Sequence, residues 1–212
     1  MPTIEQARGW YASADAVHDF EHVLRVYRMA ERLALAEGAD LEIVRAAALL
    51  HDAEGAAPGE GSLRETHHHA SAEFAAGILS VEGWTPERIA AVQHCIRAHR
   101  YRDNREPPAT LEARVLFDAD KLDVLGAIGV ARVVAYATLA GEPVFARPSA
   151  RFLQSGEAEP GEPHSAYHEH LFKLRKVKDR LFTDSARAIA GQRHDFLEAY
   201  FAKLSSEFHG ES

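Results

Sequence analysis

Four residues combine side-chain types that suit a catalytic divalent metal ion: His22, the adjacent pair His51 and Asp52, and Asp120. Imidazole nitrogens mixed with carboxylate oxygens, without a cysteine, are typical of catalytic metal sites, whereas structural zinc sites depend largely on cysteine thiolates. A metal ion held in this way can lower the pKa of a bound water molecule and polarise a substrate. The four residues therefore predict a hydrolase.

The composition indicates the class of protein in which such a site would lie. The chain has 212 residues, 46% hydrophobic and 26% charged, which fits one globular domain that needs no cross-links. Its single cysteine, Cys95, excludes an internal disulfide and agrees with a reducing compartment. The first residues lack the pattern of a signal peptide, and no apolar run approaches the ~20 residues of a transmembrane helix. We therefore expect a cytoplasmic protein that makes no membrane contact.

Helical periodicity explains how residues so far apart in the sequence would meet. Apolar residues recur every three or four positions, and His22 and His51 each continue the apolar stripe of a predicted helix. Asp120 does the same on a third helix, four residues after Leu116 and four before Val124. Three helices would thus each direct a polar side chain towards a packed face. The predicted helices span residues 17–36, 41–54, 65–81, 86–100 and 111–140, the last interrupted near Gly126 or Gly129.

The remainder of the chain completes the expected organisation. Residues 141–164 are rich in proline and show little periodicity, so they are predicted to form a long loop. Residues 165–212 contain two predicted helices that meet near Thr183 and Asp184. Because no strand pattern occurs, the sequence predicts an all-α fold with a core over 1–140 and C-terminal helices packed on that core.

Buried charge strengthens the argument for a metal ion. A single histidine on an apolar helix face is usually a hydrogen-bonded core residue. An ionised carboxylate in such a position is costly unless it is paired or bound to a cation. A divalent ion shared by Asp52, Asp120 and the two imidazoles is the simplest way to meet that cost. We therefore expect these residues to meet at one cation.

Longer stretches of the chain resemble a known family. The sequence is similar to small single-domain bacterial members of the HD-domain superfamily of metal-dependent phosphohydrolases, whose signature His…His-Asp…Asp is matched by the four residues above. The resemblance is carried by residues 18–26 (HDFEHVLRV), 49–52 (LLHD), 96–99 (IRAH) and 118–132 (DADKLDVLGAIGVAR), and it extends to residues 168–207. It implies an HD-domain helical bundle with a C-terminal helical extension. It also implies a divalent metal ion, namely Mn²⁺, Mg²⁺ or another transition metal such as Fe²⁺, Co²⁺, Ni²⁺ or Zn²⁺.

The ligand set suggests roles for the neighbouring acidic residues. A metal ion bound by four protein ligands would keep positions open for water and a phosphoryl oxygen. Asp52 is predicted to act both as a ligand and as the acceptor of the proton of water, and Glu54 is the alternative base. Asp123 lies one turn after Asp120, so it is predicted to hydrogen-bond a ligand or the water. An ordinary surface or capping role for Asp123 is the other interpretation.

Further histidine and basic residues lie near these positions in the sequence. His69 and His99 are the inward-facing candidates of their helices, and they are predicted to hold a second metal ion or a substrate phosphate. His67 and His68 are expected at the exposed start of a helix. Substrate contacts are expected from Arg25, Arg100 and Lys121, because guanidinium and ammonium groups suit phosphate. His18 would support His22 through a hydrogen bond or cap the helix.

Three functions fit these observations. The leading hypothesis is a phosphohydrolase that acts on a small phosphorylated substrate, most plausibly a nucleotide, at an ester or an anhydride. The alternatives are a dinuclear iron oxygenase on the same scaffold and a non-catalytic binding module that keeps the metal. The formal net charge of −8 argues against a nucleic-acid platform, because that binding depends on excess lysine and arginine. The exposed C-terminal helices suggest a homodimer.

Overall fold

The described part of the chain is helical. A computed structural model describes residues 1–11, 20–54, 61–100 and 106–211, with side chains from residue 67 onward in the third of these stretches. Within these residues no strand occurs, which confirms the predicted all-α fold. The α-helices are α1 (Ile4–Trp10), α2 (Phe20–Glu37), α3 (Leu41–Leu50), α4 (Gly61–Val81), α5 (Pro86–Ala98), α6 (Leu111–Leu122), α7 (Gly126–Leu139), α8 (Ala150–Ser155), α9 (Ala166–Phe172) and α10 (Asp184–Phe208), with a 3₁₀ helix over Leu174–Arg180.

No single helix among the described residues has both the length and the apolar composition needed to cross a bilayer. The consecutive helices α6 and α7 reach that composition only when they are counted together.

The chain forms two compact units. The first comprises Met1–Lys121 together with Leu181–Ala186, and the second comprises Leu122–Arg180 together with Arg187–Ser212. Most elements of the first unit are those that the periodicity predicts. The predicted division into a core over 1–140, a loop and packed C-terminal helices stays a prediction.

Helices α2 and α3 of the first unit have clear start and stop signals. Gly38 ends α2 in the left-handed region at φ 78°, a conformation that glycine adopts without steric cost. Asp40 then caps α3, because its side chain accepts hydrogen bonds from the backbone N–H groups of Glu42 and Ile43. Helix α3 packs against α2, α4 and α5, and its residues 46–50 are fully buried or nearly so. This central helix carries the His51–Asp52 pair at its C-terminal end.

Helix α1 is an element that the sequence analysis did not predict. Thr3 and Gln6 form a reciprocal capping box at its start. Its residues Ala7 and Tyr11 join a buried cluster with Phe20, Val23, Leu24 and Leu49. The amphipathic signal is weak because this helix has only seven residues. Tertiary packing therefore stabilises α1.

The chain returns to the first unit at residues 181–186. Asp118 on α6 is fully buried, and its carboxylate accepts hydrogen bonds from the backbone N–H of Phe182 at 2.9 Å and of Thr183 at 2.7 Å. The hydroxyl of Thr183 donates to the same carboxylate at 2.7 Å. The rings of Phe117 and Phe182 meet edge to face at 5.1 Å. Residues 181–186 are thereby fixed to the helix that carries Asp120.

The second unit differs from the sequence prediction in one element. The interruption predicted near Gly126 or Gly129 occurs at residues 123–125, and Gly126 opens α7 with φ 69°. The predicted long loop contains helix α8, because Ser149 caps it and Phe152 is buried. That part of the loop prediction was wrong, since a six-residue helix shows almost no periodicity. The two predicted C-terminal helices correspond to α9 and α10, with the 3₁₀ helix between them.

Candidate metal centre

The structure brings the four predicted ligands together in the first unit. His22 comes from α2, His51 and Asp52 follow α3, and Asp120 comes from α6. Asp52 Oδ2 lies 3.4 Å from His51 Nε2 and 3.9 Å from His22 Nε2, and His22 Nε2 lies 3.5 Å from Asp120 Oδ1. Both imidazoles are buried, with relative exposures of 2% for His22 and 0% for His51. Ligand atoms of His22, His51 and Asp52 lie within 4.8 Å of one another, as a shared ion requires.

A second group of donors shares the carboxylate of Asp52. Its other oxygen, Oδ1, lies 3.3 Å from His67 Nε2 and 3.4 Å from His99 Nε2. Ligand atoms of these three residues also lie within 4.8 Å of one another. Asp52 therefore stands between two groups of imidazoles, one on each carboxylate oxygen.

The second group contains His67, whereas the sequence pattern favoured His69. The buried face of α4 runs through Ser71, Ala72, Ala75 and Leu79, so its phase differs from the stripe used for the prediction. His69 is exposed, and its ring lies 4.1 Å from that of His68. The expectation that His67 and His68 are exposed was wrong, because His68 is 2% exposed and the side chain of His67 is 18% exposed.

Backbone carbonyls fix the orientation of two of these imidazoles. His51 and His99 are each the first residue beyond a helix, and each ring contacts the carbonyl three residues earlier through Nδ1. The contact from His51 to Ala48 O is 2.9 Å. In the neutral form Nδ1–H donates this bond, which leaves Nε2 with a lone pair for a cation. The local helix ends therefore present two nitrogens to Asp52 in the form that a metal requires.

Two buried atoms test whether the donors fit a metal ion. His51 Nε2 and Asp52 Oδ1 make no hydrogen bond within the described part of the chain, although both are inaccessible to solvent. A buried polar atom without a partner carries a large desolvation cost. Coordination to a divalent cation would satisfy both atoms, and the nitrogen and oxygen donors suit such an ion. The residues present therefore fit the metal that the sequence predicts.

The electrostatics of the centre favour ionised carboxylates at Asp52 and Asp120 and a neutral imidazole at His99. Burial raises the pKa of Asp52, but His51, His67 and His99 outweigh this effect and hold the pKa well below its usual value. Asp120 also has a lowered pKa, because Lys121 and the neighbouring histidines outweigh burial. Burial lowers the pKa of His99. Ionised carboxylates beside a neutral imidazole are the ligand forms that bind a metal.

The residues predicted to contact the substrate differ in their burial. Lys121 is buried, with Nζ 2.5 Å from Asp120 Oδ2 and 5.3 Å from the ring centroid of Phe117. Arg25 is half-buried on α2, three residues after His22. Arg100 is half-buried immediately after His99. All three positions therefore lie near a predicted ligand in the sequence, and Lys121 contacts one of these ligands, Asp120.

Two of the remaining predicted site residues have other described contacts. The side chain of Glu54 is exposed, and its backbone N–H donates to Ser71 Oγ at 3.1 Å. Asp123, in the second unit, is 4% exposed and forms an ion pair with Arg132. Its burial disagrees with the surface role given as the alternative, and the catalytic role of Asp123 stays a prediction. His18 lies outside the described residues.

Residues 19–125, just over half of the chain, match the HD domain, and the residues of both donor groups all lie within the match. The chain belongs to the HD domain family. It is 30% identical over 213 residues to the protein YpgQ of Bacillus subtilis (strain 168), covering 97% of this chain and 94% of YpgQ. The crystal structure of YpgQ in complex with ADP aligns with a TM-score of 0.75 over 99% of this chain and 100% of that chain. An HD-superfamily hydrolase from Bacillus thuringiensis aligns with a TM-score of 0.72 at 26% identity, over 97% of this chain and 94% of that chain.

Family membership therefore agrees with the resemblance seen in the sequence. The relatives with solved structures include HD-superfamily hydrolases, so this HD protein belongs to a hydrolase family and has residues suited to binding a metal.

Sequence reasoning missed three residues that shape the centre. His67 lies in a run of three histidines, and only the helix phase distinguishes which of them faces Asp52. Tyr11 follows a helix that is too short to predict, and the hydrogen-bond partners of Asp118 lie more than sixty residues later. The signal available for Asp118 was its carboxylate between buried apolar neighbours.

Proposed function

We propose that this HD protein is a metal-dependent phosphohydrolase. The observation that carries the proposal is the Asp52 carboxylate, which has imidazoles around both oxygens while one oxygen makes no hydrogen bond in the described residues. His22, His51, Asp52 and Asp120 would hold the ion. A bound divalent cation, Mn²⁺, Mg²⁺ or another transition metal, would supply Lewis acidity that activates water and neutralises charge on a phosphoryl group.

The protein residues have distinct tasks in this proposal. Asp52 accepts the proton of the attacking water through the oxygen that faces His67 and His99. His67 passes that proton to solvent, because its side chain is 18% exposed and that of His99 is 5% exposed. Lys121 neutralises Asp120 and offers its remaining donors to a phosphate oxygen. Arg25 and Arg100 bind the outer phosphates of the substrate.

We further propose that the substrate is a small phosphorylated compound, specifically a nucleotide. The relative YpgQ has been crystallised with ADP, which is a nucleoside diphosphate. In this chain, two arginines and one lysine adjoin three different predicted ligands in the sequence. Several positive groups around one centre suit a polyphosphate better than a single phosphate group.

A panel of nucleotides and generic phosphate esters with Mn²⁺ tests the proposal. The wild-type protein should hydrolyse at least one compound, and separate assays for phosphate and pyrophosphate identify the bond that is cleaved. Asp52→Ala should abolish turnover while the helical circular dichroism is retained. Unchanged turnover in Asp52→Ala would refute the assignment.

A matched pair of histidine variants tests the second donor group. His67→Ala should lower kcat by about a hundredfold, because general acid–base groups typically contribute at this level. His69→Ala should leave kcat within about threefold of the wild type, since that imidazole is exposed and lies apart from both donor groups. Equal losses in the two variants would contradict the proposed role of His67.

The group formed by Asp52, His67 and His99 favours one alternative function. Two donor groups that share a carboxylate are suited to two ions, and a pair of redox-active irons would support an oxygenase. Elemental analysis of the purified protein separates these functions, because two irons per chain with oxygen uptake would replace the hydrolase proposal. A bound metal without turnover on any substrate would support a binding module. The cytoplasmic location and the homodimer stay predictions from the sequence.

A further inference from the structure

The C-terminal end of α3 is closed by side chains at the point where it presents the metal ligands. The last carbonyls of a helix have no partner four residues later, so other donors must satisfy them. Here His51 Nδ1 contacts the carbonyl of Ala48 at 2.9 Å. The hydroxyl of Tyr11 donates to the carbonyl of Leu49 at 3.0 Å, and the backbone N–H of Ala53 donates to Leu50 at 3.3 Å. The turn that carries His51 and Asp52 thus depends on a donor from a distant part of the chain.

Tyr11 reaches this turn from the end of α1, thirty-eight residues before Leu49. Its side chain is buried in the cluster with Phe20 and Leu49, and the Tyr11 and Phe20 rings are 5.7 Å apart. Burial raises the pKa of Tyr11, and the negative charge of Asp52 raises it further. The phenol therefore lies at the end of α3, with its hydroxyl on the Leu49 carbonyl, three residues before the ligand Asp52.

We propose that Tyr11 is a positioning residue, which fixes the backbone of the His51–Asp52 turn through its hydroxyl and makes α1 part of the metal centre. The inference rests on the proposed function, in that it assigns the turn to metal binding. The ring of Tyr11 packs in the cluster as a phenylalanine would, so only the hydroxyl distinguishes positioning from packing. Without it, the buried Leu49 carbonyl loses the donor that the phenol supplies.

The chain offers a matched control for this hydroxyl. Tyr27 is half-buried and packs against the same cluster, but its phenol lies near Arg45 and Glu31 rather than the ligand turn. Tyr11→Phe and Tyr27→Phe therefore remove the same hydroxyl group from two rings of one cluster. A merely structural role would give the two variants similar effects.

Two measurements on the full chain test the proposal. Calorimetric titration with Mn²⁺ should show affinity about five- to tenfold weaker for Tyr11→Phe, as expected for one lost buried hydrogen bond, and unchanged affinity for Tyr27→Phe. Hydrogen exchange of the metal-free protein should be faster at the amides of Asp52 and Ala53 in Tyr11→Phe alone. Wild-type affinity and exchange in Tyr11→Phe, or equal changes in Tyr27→Phe, would overturn the proposal.

The two proposals fail in different ways. If the wild type binds Mn²⁺ but hydrolyses nothing in the panel, the proposed function fails and the titration still decides the role of Tyr11. If the wild type binds no Mn²⁺, the metal centre fails, and unchanged amide exchange in Tyr11→Phe would then overturn the positioning role as well.

Discussion

The ion pair of Asp123 and Arg132 separates the structural and catalytic interpretations of Asp123. The Asp123 side chain is 5% exposed and that of Arg132 is 16% exposed, so removing one partner leaves the other charge largely buried. Such a loss typically costs about 3–5 kcal/mol, of which we expect the lower end because Arg132 retains some solvent contact. For a chain of this length, 1 kcal/mol corresponds to about 2–4 °C. Asp123→Ala should therefore lower the melting temperature by about 6–12 °C.

A double-mutant cycle measures the pair directly. Asp123→Ala, Arg132→Ala and the double variant are compared by thermal and urea unfolding, and we expect a coupling energy of about 1.5–3 kcal/mol. Glu157→Ala is the control in the same unit, because the Arg151–Glu157 pair is 54% and 65% exposed and should contribute less than about 1 kcal/mol.

Turnover is measured well below the melting temperature of each variant at saturating Mn²⁺. Asp123→Ala should retain kcat within about threefold of the wild type, since its carboxylate is engaged by Arg132. A loss of about a hundredfold in kcat with unchanged stability would refute this reasoning and restore the catalytic interpretation.

Three further predictions concern the metal centre. Lys121→Met should raise the KM for a phosphorylated substrate about tenfold without weakening Mn²⁺ binding, because the ammonium group beside Asp120 is lost. Steady-state kinetics measure the KM, and calorimetry measures the Mn²⁺ affinity. An unchanged KM would contradict the substrate contact. Metal-free protein should lose stability between about pH 6.5 and 4, because burial lowers the pKa of His68 to about 4 and the unfolded chain then binds more protons; melting curves should show a smaller loss in His68→Gln. Mn²⁺ at about a hundred times its Kd should raise the free energy of unfolding by about 2.7 kcal/mol, and EDTA should reverse this stabilisation. Identical unfolding curves with Mn²⁺ and with EDTA would exclude binding to the folded state.

The sequence predicts the fold and the first donor group for one physical reason. His22, His51 and Asp120 each occupy a position that continues an apolar helix face, and long helices repeat that face often enough to reveal its phase. The start of α3 was equally predictable, because Asp40 follows a glycine that ends α2.

The parts that escaped prediction depend on contacts across the chain or on short elements. Helix α3 was predicted to extend to residue 54, but it ends at Leu50. The side chains of Tyr11 and His51 hydrogen-bond two of its last carbonyl groups. The choice between His67 and His69 depends on the exact phase of α4 at its start, which alanine-rich sequence does not define well. Helix α8 is only six residues long, and a local cap and one buried phenylalanine stabilise it.

The hydrogen bonds of Asp118 have a consequence for the order of folding. Its partner Thr183 lies 65 residues later, beyond the whole stretch of residues 122–180 that belongs to the second unit. During synthesis, the helix that carries Asp120 is complete long before these donors leave the ribosome. The hydrogen bonds of Asp118 can therefore form only after most of the second unit has been made. A fragment limited to the family match over 19–125 would lack these donors and should fold poorly. The hydrogen bonds that fix residues 181–186 to the helix carrying Asp120 are therefore expected to form among the last steps of folding.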